Sequence, residues 1–177
     1  IESDFSKVSK KLINKIINLI IIGIDFIPSS KNTLKYLKKS ISQTTITKCN
    51  SDFDYPMLIV YTSGTTGKPK GATLSQKAIY YNILNSINMH NFTKLDHILT
   101  VIPLFHVGGL NIQTIPALHM GAKVTLHKKF EAKKIFSALE KQIYTFTIFV
   151  PTILETLFKD KNWNPNLFAS LKAITTG

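Results

Sequence analysis

From Thr62 to Gly67 every residue is Ser, Thr or Gly, and Lys68, Lys70 and Gly71 follow within four positions. Such a segment is a poor helix or strand interior, because glycine weakens regular elements and opens backbone conformations with φ > 0. Successive N–H groups in a turn of this kind can converge into a concavity for an anion. The hydroxyls of Thr62, Ser63, Thr65 and Thr66 add donors, and Lys68 and Lys70 add positive charge. The chemistry suits a polyphosphate. Immediately upstream, Met57 to Tyr61 is a short apolar run that reads as a buried strand. Downstream, Ser75 stands where an N-cap belongs, and Ala78, Ile79, Ile83, Leu84 and Ile87 recur at helical spacing. Strand, glycine-rich loop and helix is the order in which phosphate-binding loops occur.

The loop is not a Walker A motif, which needs four residues between its first Gly and a Gly-Lys pair, then Ser or Thr. Here two residues separate Gly64 from Gly67, and Pro69 follows Lys68. A solvated Ser/Thr/Gly loop is the alternative. The rest of the chain favours a built site, since apolar runs alternate with helical patterns from Met57 onward. Strands are expected over 57–62, 97–102, 122–127, 144–150 and 171–175. Helices are expected over 75–90, 107–119, 131–142 and 151–159. This rhythm predicts an α/β fold with a largely parallel sheet flanked by helices on both faces. Before it, residues 4–16 read as an amphipathic helix, 19–24 as a strand and 31–40 as a lysine-rich helix. The chain accordingly divides into a preceding region, 1–53, and a main region, 54–177.

The segment Tyr61-Thr62-Ser63-Gly64-Thr65-Thr66-Gly67-Lys68-Pro69-Lys70-Gly71-Ala72 resembles the signature loop of the adenylate-forming (AMP-binding) superfamily, which includes acyl-CoA synthetases. Pro103-Leu104-Phe105-His106-Val107-Gly108-Gly109-Leu110 resembles that family's second motif. Leu171 to Gly177 resembles the strand entering its adenine-binding loop. The resemblance implies a portion of the large N-terminal domain of a ligase that joins a carboxylic acid to ATP's AMP moiety and then to a thiol. It assigns Thr62, Ser63, Gly64, Thr65, Thr66, Gly67 and Lys68 to the nucleotide phosphates, and Gly177 to the adenine loop. Lys70 and His106 become the catalytic candidates, Lys70 on the leaving pyrophosphate and His106 on the carboxylate. Gln76 stands where relatives often carry His. ATP, Mg2+ and CoA are the implied cofactors, with the magnesium glutamate placed beyond Gly177 and no metal ligand within this chain. On this reading the chain is a fragment, inactive by itself. Two alternatives stand beside it: an adenylation domain that loads a carrier protein, and a non-catalytic lysine-rich module for polyanions.

Charge bears on the last of these. The formal net charge is +12, yet all 22 basic residues are lysine. Arginine, whose planar fork reads phosphate and guanine in pairs of bonds, is absent. The lysines are scattered apart from pairs such as Lys128-Lys129 and Lys133-Lys134, so nucleic acid is not an expected partner. Asn18 and Asp25 interrupt the apolar stretch near the start, leaving less than the roughly 20 residues that span a bilayer. Cys49, the single cysteine, cannot form an internal disulfide, which suits a reducing cytoplasm. His90, His97, His119 and His127 lack ligand spacing, and Asp96 reads as a turn or cap residue before a strand.

Overall fold

The computed structural model describes residues 52–64 and 67–177. The elements expected over 4–16, 19–24 and 31–40 lie outside these residues, as do Cys49, Thr65 and Thr66.

The apolar run ahead of the loop forms β1, Pro56–Thr62, and the loop returns into a second strand, β2, Lys70–Ser75. The two pair antiparallel, with Ile59 opposite Thr73, Tyr61 opposite Gly71 and Thr62 opposite Lys70. The sequence pattern leads from the loop straight into a helix, so the hairpin is a correction. Lys70 opens a strand; the helix starts six residues later. Ser75 then caps α1, Gln76–His90, its Oγ accepting from the Ala78 N–H at 3.2 Å. Asn91 ends α1 in the left-handed region, φ 54°, a conformation asparagine tolerates.

Four short strands follow: β3 (His97–Thr100), β4 (Lys123–Leu126), β5 (Phe146–Ile148) and β6 (Ala173–Thr175). They form one parallel sheet in the order β4-β3-β5-β6. Each is shorter than its sequence pattern suggests, because the flanking apolar residues pack in the connections. The crossover after β3 holds a π-helix, Gly108–Thr114, that runs into α2, Ile115–Met120. The single helix expected over 107–119 is therefore two elements. α3 (Ala132–Leu139) and α4 (Pro151–Lys159) complete the crossovers, and a single 3-10 turn spans Pro165–Phe168.

Alternation along β3 feeds two cores. Ile98 meets Phe92, Ala117, Ala122 and Phe146 on one face. Leu99 meets Ile135, Leu139, Phe149 and Leu157 on the other. The register places Val124, Ile98 and Phe146 side by side across three strands. Parallel strands buried on both faces need apolar residues at both parities, which is why these segments read as continuous runs. Leu118 departs from expectation: its spacing reads as core, but it stands 58% exposed on α2.

The amino ends of β3 and β6 are joined by charge. The Lys172 Nζ lies 2.7 Å from Oδ1 of Asp96, a residue only 1% exposed. Asp96 Oδ2 accepts from the Thr93 N–H at 2.7 Å and from the Thr93 hydroxyl at 2.9 Å. Burial alone would raise the Asp96 carboxyl, but Lys172, Thr93 and Thr145 together hold it below the ordinary aspartate value.

Candidate functional site

In a parallel sheet the loops after the carboxyl ends of all strands emerge along one edge, where open α/β sheets bind ligands. The loop carrying His106 follows β3, and Thr176-Gly177 follows β6. Both sequence-predicted positions therefore leave the sheet at the same edge. Their setting differs from that of the glycine-rich loop, which is the tip of the β1–β2 hairpin.

Hairpin pairing determines the form of that loop. The Thr62 hydroxyl donates to the Lys70 carbonyl at 3.4 Å, closing the two strands on each other. Inside, the Gly67 N–H donates to the Gly64 carbonyl at 3.2 Å. Gly64 and Gly67 take φ of 62° and 74°. A Cβ on Gly64 would stand 2.3 Å from the Lys68 carbonyl oxygen, so no side chain fits there. Thr62, Ser63, Lys68 and Lys70 are exposed. Among the described loop residues, the Ser63 hydroxyl and the Lys68 and Lys70 ammonium groups face solvent, where an anion can reach them.

His106 sits on the tight turn before the π-helix. The His106 N–H donates to the Pro103 carbonyl at 3.3 Å, and the N–H groups of Gly109 and Leu110 donate to the His106 carbonyl at 3.1 and 3.2 Å. The ring is exposed, with Nδ1 accepting from the Gly108 N–H at 3.1 Å. A cavity of about 300 Å³ lies between this turn and β1, lined among others by Leu58, Tyr61, Phe105, His106 and Leu110. It brings the histidine turn against the strand that leads into the glycine-rich loop. Tyr61 and Phe105 are 73% and 86% exposed, so two aromatic rings flank it. The histidine is the one ionisable lining residue besides Tyr61.

Behind the π-helix lies a buried polar network that the sequence pattern does not announce. The His90 Nδ1 lies 2.9 Å from the Ser86 carbonyl, which can only accept, so Nδ1 carries the proton. Nε2 then accepts from the Thr175 hydroxyl at 3.0 Å, and that hydroxyl accepts from the Gln113 amide at 2.8 Å. The chain of bonds ties the end of β6 to α1 and the π-helix, one residue before Thr176-Gly177. Its signal in the sequence is faint, since Gln113 shares the stretch 107–120 with Asn111, Thr114 and His119. Gly177 itself is exposed beyond β6. Gln76 lies at the first position of α1, next to the cap.

Among the described residues no three His, Cys, Asp or Glu side chains gather to hold a metal ion. The described residues by themselves do not form a magnesium cage. No helix among them is long and apolar enough to cross a membrane.

The chain belongs to the AMP-binding enzyme family, which it matches over residues 5–177. It is 54% identical over 122 residues to the indoleacetate–CoA ligase of Aromatoleum aromaticum, covering 69% of this chain and 24% of that protein. It is 32% identical over 120 residues to a feruloyl-CoA synthase of Amycolatopsis, covering 68% and 24%. Its fold resembles o-succinylbenzoate CoA synthetase from Bacillus subtilis, solved with an acyl-adenylate, at a TM-score of 0.72 and 26% identity. That match covers 99% of this chain and 41% of the solved one. The chain thus spans about a quarter of the length of the curated relatives named here. The sheet flanked by helices agrees with the predicted fold class.

Proposed function

We propose that this chain supplies the phosphate-gripping and carboxylate-facing part of an ATP-dependent acid–thiol ligase. The reaction is carboxylate + ATP → acyl-adenylate + pyrophosphate, followed by thioester formation with CoA. The observation that carries this reading is the cavity joining the His106 turn to β1, whose end becomes the glycine-rich loop. A carboxylate seated there approaches a phosphate held at the hairpin tip.

The main catalytic demand is to bring two anions together, which positioning and charge neutralisation meet. Thr62 to Gly67, with Lys68, hold the β- and γ-phosphates through hydroxyls, backbone N–H groups and one ammonium. Lys70, at the mouth of the hairpin, balances charge on the departing pyrophosphate. His106 orients the carboxylate, and Gly177 opens the adenine loop. The acid is aromatic on this proposal: the cavity is lined almost wholly by apolar and aromatic residues, and the 54%-identical relative is named for an indole acid. Magnesium accompanies the nucleotide, and the reducing cytoplasm is the compartment.

The test is ATP–pyrophosphate exchange by the full-length protein with indoleacetate, other aryl acids and short aliphatic acids. Lys70→Ala should lower exchange about 10- to 100-fold, the scale of one lost charge-stabilising group. Lys128→Ala, on the connection after β4, should leave it unchanged. Exchange indifferent to Lys70, or reduced equally by Lys128→Ala, would refute the placement of the phosphates.

A further inference from the structure

We propose that Gly108 is the positioning residue of His106: its N–H locks the imidazole as the Nε2–H tautomer, so the ring meets the substrate as a neutral hydrogen-bond donor. The inference rests on the proposed function for the identity of the carboxylate, and on geometry alone for the tautomer.

A backbone N–H can only donate. With the Gly108 nitrogen 3.1 Å from His106 Nδ1, that ring nitrogen must offer its lone pair. In a neutral imidazole the proton then resides on Nε2. A ring protonated on both nitrogens would set N–H against N–H and lose the bond. The turn holds this arrangement from both sides, since the His106 N–H and carbonyl are themselves bonded to Pro103, Gly109 and Leu110. The approach is close: a Cβ on residue 108 would stand 3.3 Å from Nδ1 and 3.7 Å from Ile102 Cδ1, so the ring would shift by a few tenths of an ångström to admit it.

The tautomer suits the chemistry. A carboxylic acid is already ionised near neutral pH, so a base has no proton to remove. A cationic ring would bind the carboxylate in a strong ion pair and withdraw the electron pair that must attack phosphorus. A neutral Nε2–H orients one carboxylate oxygen and leaves the other free to react. The role is orientation and not proton transfer.

Two measurements separate these claims. In the full-length protein labelled with 15N-histidine, long-range 1H–15N spectra should show His106 with Nε2 protonated and Nδ1 bare. An Nδ1–H ring, or the mixture seen in free histidine, would overturn the lock. Kinetics test the donor. His106→Asn keeps an acceptor near the Nδ1 position and lacks a donor at Nε2, whereas His106→Gln places an amide near Nε2. Exchange should fall in kcat by about 100-fold for Asn and about 10-fold for Gln, with the KM for ATP unchanged, in the range of lost catalytic hydrogen bonds. Equal losses would overturn the donor role. Exchange indifferent to both, with the tautomer in place, overturns that role too and leaves the phosphate-loop test on Lys70 standing separately.

Discussion

Gly64→Ala should lower ATP–pyrophosphate exchange by the full-length protein about a hundred- to a thousand-fold, while its thermal unfolding midpoint hardly moves. Two penalties coincide at this residue. Its φ of 62° costs an L-residue roughly 1–2 kcal/mol. Its Cβ would also stand 2.3 Å from the backbone oxygen of Lys68, which is no flexible side-chain end that could swing aside. The turn must therefore open by about an ångström, and misplacement of that order costs about 100-fold where charge is positioned. The N–H groups proposed to hold the phosphates would be displaced with it. Stability is spared because the loop is an exposed hairpin tip with few apolar contacts, the kind of segment that opens locally without the core. Exchange within about threefold of the parent would show that the turn does not hold the nucleotide. A large fall in the unfolding midpoint would show instead that the loop stabilises the fold.

The sensitivity of Gly64 also explains why this loop is legible in the amino-acid sequence. Sequence reports backbone conformation most directly where only glycine is tolerated, and Gly64 and Gly67 both take positive φ. β1 and α1 are legible as elements for simpler reasons: an apolar run, and an N-cap serine before helical spacing. β1 is not, however, the buried strand its apolar run suggests, since Met57, Ile59 and Tyr61 are exposed. The strand between β1 and α1 is not legible. Lys70-Gly71-Ala72-Thr73-Leu74-Ser75 contains lysine, glycine and alanine, residues depleted from strands, and Leu74 is its one large apolar side chain. Cross-strand pairing with β1 makes it a strand, and pairing partners cannot be read from a local window. The same limit hides the π-helix, because Gly108 to Thr114 reads locally as helix and nothing in a short window tells a π-turn from an α-turn. Gln113 is concealed because its partners Thr175 and Thr147 lie on strands far along the chain. His106 stands out through its flanking motif. Its tautomer depends on a backbone atom two residues on, a relation that only the folded turn creates.

Away from the site, the Asp96–Lys172 pair contributes to the pH behaviour of the fold. Lys172→Met should destabilise the protein by about 2 kcal/mol at neutral pH. Removing one partner of a buried pair typically costs 3–5 kcal/mol. Here the lysine is 54% exposed, so solvent screening lowers the figure. Asp96 also keeps its two bonds from Thr93. The reverse change, Asp96→Asn, should cost less, because the half-exposed ammonium regains water while the asparagine oxygen still accepts from the Thr93 N–H. The asymmetry follows from which partner is left buried. The sign of the pH effect follows from the depressed carboxyl. A folded-state value below the unfolded one means that the stabilisation is complete above the ordinary aspartate value, about 3.9, and is lost as pH falls through the lower folded value. Urea midpoints of parent and Lys172→Met should therefore differ fully at pH 7, draw together as the acid range is entered, and converge once Asp96 is protonated in both. A difference that stays constant from pH 7 to about pH 3 would mean that Lys172 acts through its packing over the Phe146 ring, 5.8 Å from its ammonium, and not through the Asp96 charge.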